Sequence, residues 1–132
     1  MDTYKTGVTS PGILLNADVD TIGMAATRAN KRPANTSGAG TPVAHSVDAT
    51  GDITNADIGG AVSLNGNTLT IATTVHLFGD KNERKAEFER LTAIYDLSGG
   101  DEGAKVFPGP DLKLHSTDFS RATLVKSISL IA

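Results

Sequence analysis

Along most of this chain hydrophobic and polar residues alternate, the pattern of strands with one buried face. In "ILLNADV" the residues Ile13, Leu15, Ala17 and Val19 share one side. "VAHSV" alternates Val43, His45 and Val47 and reads as a shorter strand. The clearest run is "AVSLNGNTLTIATTVHLF", where Asn65-Gly66 separates two strand-like segments and predicts a hairpin over 61–79. Asn-Gly suits a type I′ turn, whose two central residues both need positive φ. A two-residue loop then places Val62, Leu64, Leu69, Ile71, Thr73, Val75 and Leu77 on an apolar face. Thr68, Thr70, Ala72, Thr74, His76 and Phe78 form a hydroxyl-rich face opposite.

The period changes after Phe78. Asp80 offers an N-cap oxygen and Glu83 follows three residues later, a variant of the capping box. The spacing predicts a helix over 81–97, with Phe88, Leu91 and Tyr95 on its packing face and Ala86, Ile94 and Leu97 beside them. Gly99-Gly100 supplies a stop. The closing run "TLVKSISLIA" has apolar residues at both parities and predicts a strand over 123–132 that is buried on both faces or clasped by a partner.

The remaining segments are weaker in pattern. Residues 1–12 read as a polar N-terminal arm with Pro11-Gly12 punctuation, and 21–29 fit either a strand or a helical turn. "NKRPANTSGAGTP", 30–42, predicts an exposed loop or hairpin tip, and 48–60 is turn-rich with little core capacity. The expected fold is a single α+β domain over 1–132: an antiparallel β-sheet with one main α-helix packed on one face. A helix of that length is about 25 Å long at 1.5 Å per residue and covers only a stripe of a sheet. Completion by dimerisation is therefore expected, with extended arms reaching neighbours.

Composition narrows the function classes. Of 132 residues, 39% are hydrophobic and 20% charged, which fits a folded globular chain. With two Tyr, four Phe and no Trp, the core has few large side chains. No cysteine is present, which excludes a disulfide framework or a thiolate metal site and suits a reducing compartment. The first residues lack the basic and apolar regions of a signal peptide, and no apolar run is long enough for a membrane span. A net charge of −3 means that any basic surface must be local. "RANKRP" holds the one basic cluster, so Arg28, Lys31 and Arg32, with Thr68, Thr70, Thr74 and His76 of the hydroxyl-rich face, are the candidate RNA contacts.

Catalytic chemistry is not signposted. No G-x-S-x-G, G-x-G-x-x-G or P-loop motif occurs. His45, His76 and His115 are too scattered to spell a zinc site, and Asp18, Asp20, Asp48, Asp52 and Asp57 match no calcium loop. The expectation is a protein that is not an enzyme, has no catalytic or metal residues and needs no cofactor.

The stretch 67–98, a long strand running into the charged helix that opens Asp80 to Arg84, resembles the last strand and following helix of the coat proteins of single-stranded RNA bacteriophages. That resemblance implies a homodimer with a continuous antiparallel sheet, helices on its outer face and genomic RNA on its inner face. Phe88, Leu91, Ile94 and Tyr95 would then pack the helix and the dimer. It further implies a virion capsid protein that self-assembles in the host cytoplasm, with itself and genomic RNA as partners and no membrane. The family usually ends in helix, whereas this chain runs on to a strand-like end. A phage head-decoration or tail subunit, or a small binding module, is the alternative.

Overall fold

β-Alternation prevails over helical periodicity nearly everywhere. The computed structural model describes all residues 1–132. In chain order the elements are β1 (Asp2–Lys5), β2 (Ile13–Asp20), β3 (Met24–Pro33), β4 (Thr41–His45), β5 (Ile53–Gly59) and α1 (Ala61–Leu64). There follow β6 (Asn67–His76), α2 (Lys81–Arg90), β7 (Thr92–Ser98), β8 (Lys105–Pro108), β9 (Leu112–His115) and β10 (Arg121–Ile131). One sheet runs β1-β10-β6-β3-β4, with β9 also on β10, and the second runs β5-β2-β7-β8. All pairings are antiparallel except β1 on β10. The result is a mostly β domain with one main helix.

The two sheets cover each other. From β6 the side chains of Leu69, Ile71, Thr73 and Val75 are buried; from β10, Leu124 and Ile128; from β2, Ile13, Leu15 and Ala17; from β7, Ala93, Tyr95 and Leu97. The apolar faces read from the sequence for β2 and β6 are therefore the core faces. Their lid is the second sheet of the same chain, so the expected dimer is not needed to complete the core. Among these aliphatics the Thr27 and Thr73 hydroxyls satisfy each other at 2.7 Å, as a buried polar pair must.

Four predicted elements are corrected. First, the helix stops at Arg90, because Leu91 has φ −62° and ψ 125°, an extended conformation. Leu91, Ala93, Tyr95 and Leu97 are then all buried at strand spacing. Leu91 and Tyr95 fit both periods, and the β-forming Thr92, Ile94 and Tyr95 decide in favour of the strand. Tyr95 and Ile94 therefore point to opposite faces of β7, the first into the core and the second outward, half exposed. Phe88 packs partly buried against the core from α2, and Leu91 is a core residue at the helix end.

Second, 61–79 is not a hairpin. Residues 61–64 form one helical turn that buries Ala61 and Leu64 but leaves Val62 exposed. Asn65 sits at φ −61° and only Gly66 takes positive φ, at +80°. That is the sequence of a type II turn, not a type I′ turn.

Third, the ends are not arms. Tyr4 is fully buried, its hydroxyl donates to the Gly103 carbonyl at 2.5 Å, and the Thr6 amide donates to the Ile131 carbonyl at 2.7 Å. β10 lies inside its own sheet, with one parity buried and the other only half-buried.

Fourth, the segment 48–60 contributes a strand, β5. Asn55, at φ +48°, marks an irregularity in the pairing of β5 with β2. That extra residue resets the parity, so Ile53 and Ile58 both reach the core although their spacing is odd. The region 30–42 is likewise partly strand: β3 runs on to Pro33 and only 34–40 form the tip before β4.

The capping box is as read. The Glu83 amide donates to Asp80 Oδ1 at 2.8 Å, and the Asp80 amide donates to Glu83 Oε1 at 3.3 Å. These bonds, the backbone bond to Glu83 first among them, hold the Asp80 carboxyl below its ordinary pKa. The helix closes one flank of the sandwich under β9. There Phe88 meets His115 edge-on at 4.8 Å, and His115 stacks on Phe119 at 4.1 Å. Lys113 Nζ donates to the Phe88 carbonyl at 2.8 Å.

Candidate functional site

Because strand side chains alternate, each sheet has a second face that the core does not use. On the six-stranded sheet the register aligns Arg28 with Ala72 and His45, Asn30 with Thr70, Arg32 with Thr68, and Met24 with His76. It also aligns Arg121 with His76, and Thr123 with Thr74. Of the candidate RNA contacts, Arg28, Arg32, Thr68, Thr70, Thr74 and His76 therefore share this outer face. Lys31 does not: it falls in the opposite parity, beside Leu69, and its Nζ donates to the Ser63 carbonyl at 3.4 Å. Thr68 lies on the face but is almost covered. Arg121, His45 and Lys5 join the face unannounced by any local cluster; only the pairing of distant strands brings them there.

No outward position of this sheet's strands holds a carboxylate, and Arg28, Arg32 and Arg121 form no ion pair. Three acids lie beside the face: Glu102, which accepts from the Lys5 amide at 2.8 Å, Asp48, in a cleft with Met24, Thr74 and His76, and Asp111. Asp48 Oδ1 accepts from the Thr50 hydroxyl and amide, which lowers its pKa. Asp111 accepts from Lys126 Nζ at 3.2 Å and from the Ser127 amide at 2.8 Å. Across β3 and β6, Asn30 Oδ1 and Thr70 Oγ1 are shielded and without partners.

The four-stranded sheet presents the opposite charge. Asp18 and Asp20 alternate with the buried residues of β2, Asp96 faces outward opposite Asn16, and Asp57 stands opposite Leu14. Asn16 Nδ2 donates to Asp96 Oδ1 at 2.9 Å, and the Asn55 amide donates to Asn16 Oδ1 at 2.8 Å. No lysine or arginine stands at an outward position of β2, β5, β7 or β8. Of the five aspartates that match no calcium loop, Asp18, Asp20 and Asp57 thus share this face with Asp96, while Asp48 lies beside the other sheet; the signal was present in the alternation of "NADVD".

The clefts between elements are small. The cleft beside α2, lined by Ile22, Phe78, Glu87 and Arg90 among others, is about 240 Å³. Glu87 there accepts from the Ile22 amide at 3.2 Å and lies 3.5 Å from Arg90 Nη2, so its carboxylate is already committed. No group of three His, Asp or Glu side chains is placed to hold a metal ion. The three histidines are apart: His45 and His76 on the cationic face, and His115 in the aromatic cluster.

No protein-family model, curated protein or solved structure matches the chain. No helix is long and apolar enough to cross a membrane.

One buried cation remains. Lys126 belongs to the core parity of β10, yet its ammonium reaches Asp2 of β1 and Asp111 of the β8–β9 link. Burial pulls its pKa down, but the hydrogen bonds to Asp2 and Asp111 outweigh that and hold it above the ordinary value. The same hydrogen bond holds the Asp2 carboxyl below its ordinary range.

Proposed function

We propose that this chain is a non-enzymatic structural protein, a coat-like subunit that associates with copies of itself to build a larger particle such as a virion shell. The expected ground for it, an apolar sheet left uncovered by one helix, is gone because the second sheet covers that face; what supports this reading instead is the pair of broad outer faces, one cationic and one acidic. Exposed aliphatic side chains on both faces, Leu112 and Leu114 on one and Ile94 and Val106 on the other, add apolar area of the kind that marks contact surfaces. The expected dimer with one continuous sheet is not required by the fold, so association in this reading joins finished monomers. A head-decoration or tail subunit is the same reading at a different place in a virion.

RNA on the cationic face is a second reading. It is favoured by the convergence of Arg28, Arg32, Thr74 and His76 from two strands; Thr70, whose hydroxyl is shielded, is not among them. Electron microscopy and native mass measurement of nuclease-treated protein test the first reading: particles or ordered multimers support it, and a monomer under all conditions rejects it. Absorbance at 260 nm of purified particles tests the second. Enclosed RNA that falls when Arg28 and Arg32 are neutralised supports it, and particles free of nucleic acid reject it.

A further inference from the structure

We infer that the cationic face of the six-stranded sheet is the docking surface for the acidic face of the four-stranded sheet of a second copy. Copies would then stack face to face in an open series. This rests on the structural-subunit reading and narrows it, from a closed shell to an open stacked assembly such as a tail or filament.

Three observations carry the inference. The first is charge complementarity within one chain. Arg28, Arg32 and Arg121 stand unpaired on one face, and Asp18, Asp57 and Asp96 on the other, with no opposing charge at the outward strand positions of either.

The second is where the apolar side chains lie. Leu112 and Leu114 sit outward on β9 at one edge of the larger sheet, and Val106 on β8 at one edge of the smaller, with Ile94 on β7 beside it. The link Gly109–Asp111 joins β8 to β9, with the Gly109 amide bonded to Ala93 of one sheet and the Asp111 amide to Val125 of the other. The two apolar edges therefore lie on the same side of the sandwich. In the proposed stack the copies are related by translation along the sheet normal, so that the apolar edges fall on one side of the stack while the charged faces meet. Such a contact uses two different patches and does not close, so it propagates.

The third observation is what the cationic face lacks. Its strands present no outward Phe, Tyr or Trp, the platforms on which single-stranded nucleic acid stacks; Phe78, read from the sequence as part of this face, lies beyond β6, exposed in the cleft beside α2. It presents Ala26, Ala72, Thr74 and Thr123 instead, a low relief suited to another sheet.

The contact is expected to be weak. Strands of eight, seven, seven and four residues, about 4.8 Å apart and at about 3.3 Å per residue, give the smaller face a footprint of about 400 Å². Both partners together bury about 800 Å², below the roughly 1,200–2,000 Å² of stable complexes. Association should depend steeply on concentration and salt.

The test is sedimentation velocity on nuclease-treated protein, at about 10 mM salt, where charges act over about 30 Å, and at about 1 M, where they act over about 3 Å. The native chain should form a concentration-dependent ladder of species in low salt and disperse in high salt. An all-acidic variant, Arg28→Glu with Arg121→Glu, and an all-basic variant, Asp18→Lys with Asp96→Lys, should each stay monomeric. Their equimolar mixture should regain the ladder, which also shows that both variants fold. A native monomer at low salt that binds an added oligonucleotide through Arg28 overturns the inference in favour of nucleic acid. Multimers that survive in both variants overturn face-to-face stacking while leaving the structural-subunit reading intact. No association of any kind overturns both.

Discussion

Outward along β3 the larger sheet presents Met24, Ala26, Arg28, Asn30 and Arg32, while outward along β2 the smaller sheet presents Leu14, Asn16, Asp18 and Asp20. Inward, the same two strands present Ala25, Thr27 and Ala29, and Ile13, Leu15, Ala17 and Val19, nearly all out of reach of water. The inner parities are alike and the outer parities have opposite charge. A strand's period of two makes this separation possible: side chains that hold the sheets together and side chains that meet other molecules occupy different positions in the same strand. Stability and contact can then be altered separately.

The largest effects on folding should come from the shared interior. Leu124→Ala in the larger sheet and Leu15→Ala in the smaller should each cost about 2–5 kcal/mol, read from urea unfolding. Both should shift a single cooperative transition, because the two sheets bury one core; two separate transitions would break the pairing of the layers. Next comes the rim. Lys126→Ala should cost about 1–3 kcal/mol, less than a fully buried pair, because Asp2 and Asp111 are about half exposed and can rehydrate. Lys126→Met should recover part of that loss by keeping the packed stem. Asp2 is held below its ordinary pKa by Lys126, so its contribution is present above about pH 4 and is lost as pH falls through its folded value. The protection factor of the Thr6 amide, which pins the end of β1 on Ile131, should fall on acidification in the native chain and be low throughout in Lys126→Ala.

A smaller effect of opposite sign is expected at Tyr95. Its hydroxyl is buried without a partner, and burial, with the charge of Asp111, pushes its pKa up to about 12. Tyr95→Phe should therefore be neutral or stabilising, by up to about 1 kcal/mol. An unfolded tyrosine loses its proton near pH 10 while the folded one keeps it. The native chain should thus lose stability between about pH 10 and 12, and Tyr95→Phe should lose less. Smallest of all should be the folding effect of the outer charges. Arg28→Glu and Asp18→Lys should each stay within about 0.5 kcal/mol of the native chain, while association changes sharply.

Much of the inner architecture could be read from the sequence, and the misreadings have local causes. The core faces of β2 and β6 were legible because Ile13 to Val19 and Leu69 to Leu77 alternate without interruption. The capping box was legible because it depends on two residues three apart. The end of α2 was not, since Leu91 and Tyr95 satisfy a helical and a strand period alike, and Ala93, the buried residue that only the strand period explains, is too small to register as a core residue. β5 was hidden by the irregularity at Asn55, which breaks the alternation that would have revealed it. Of the cationic face, Arg28, Arg32 and the threonines of β6 were legible, while Arg121, His45 and Lys5 required the pairing of strands far apart in sequence. The second sheet, and with it the lid over the apolar face of β6, could not be seen in any one segment, because a layer consists of contacts between distant segments.

Small-angle X-ray scattering of nuclease-treated protein across salt concentration bears most directly on the claim that a finished monomer works through opposed outer faces. At high salt the chain should scatter as a single compact body with a radius of gyration of about 14 Å. At low salt it should lengthen in one direction while its cross-section stays that of one sandwich. A closed dimer of fixed size at every salt concentration, or a chain that is expanded when alone, would contradict the account.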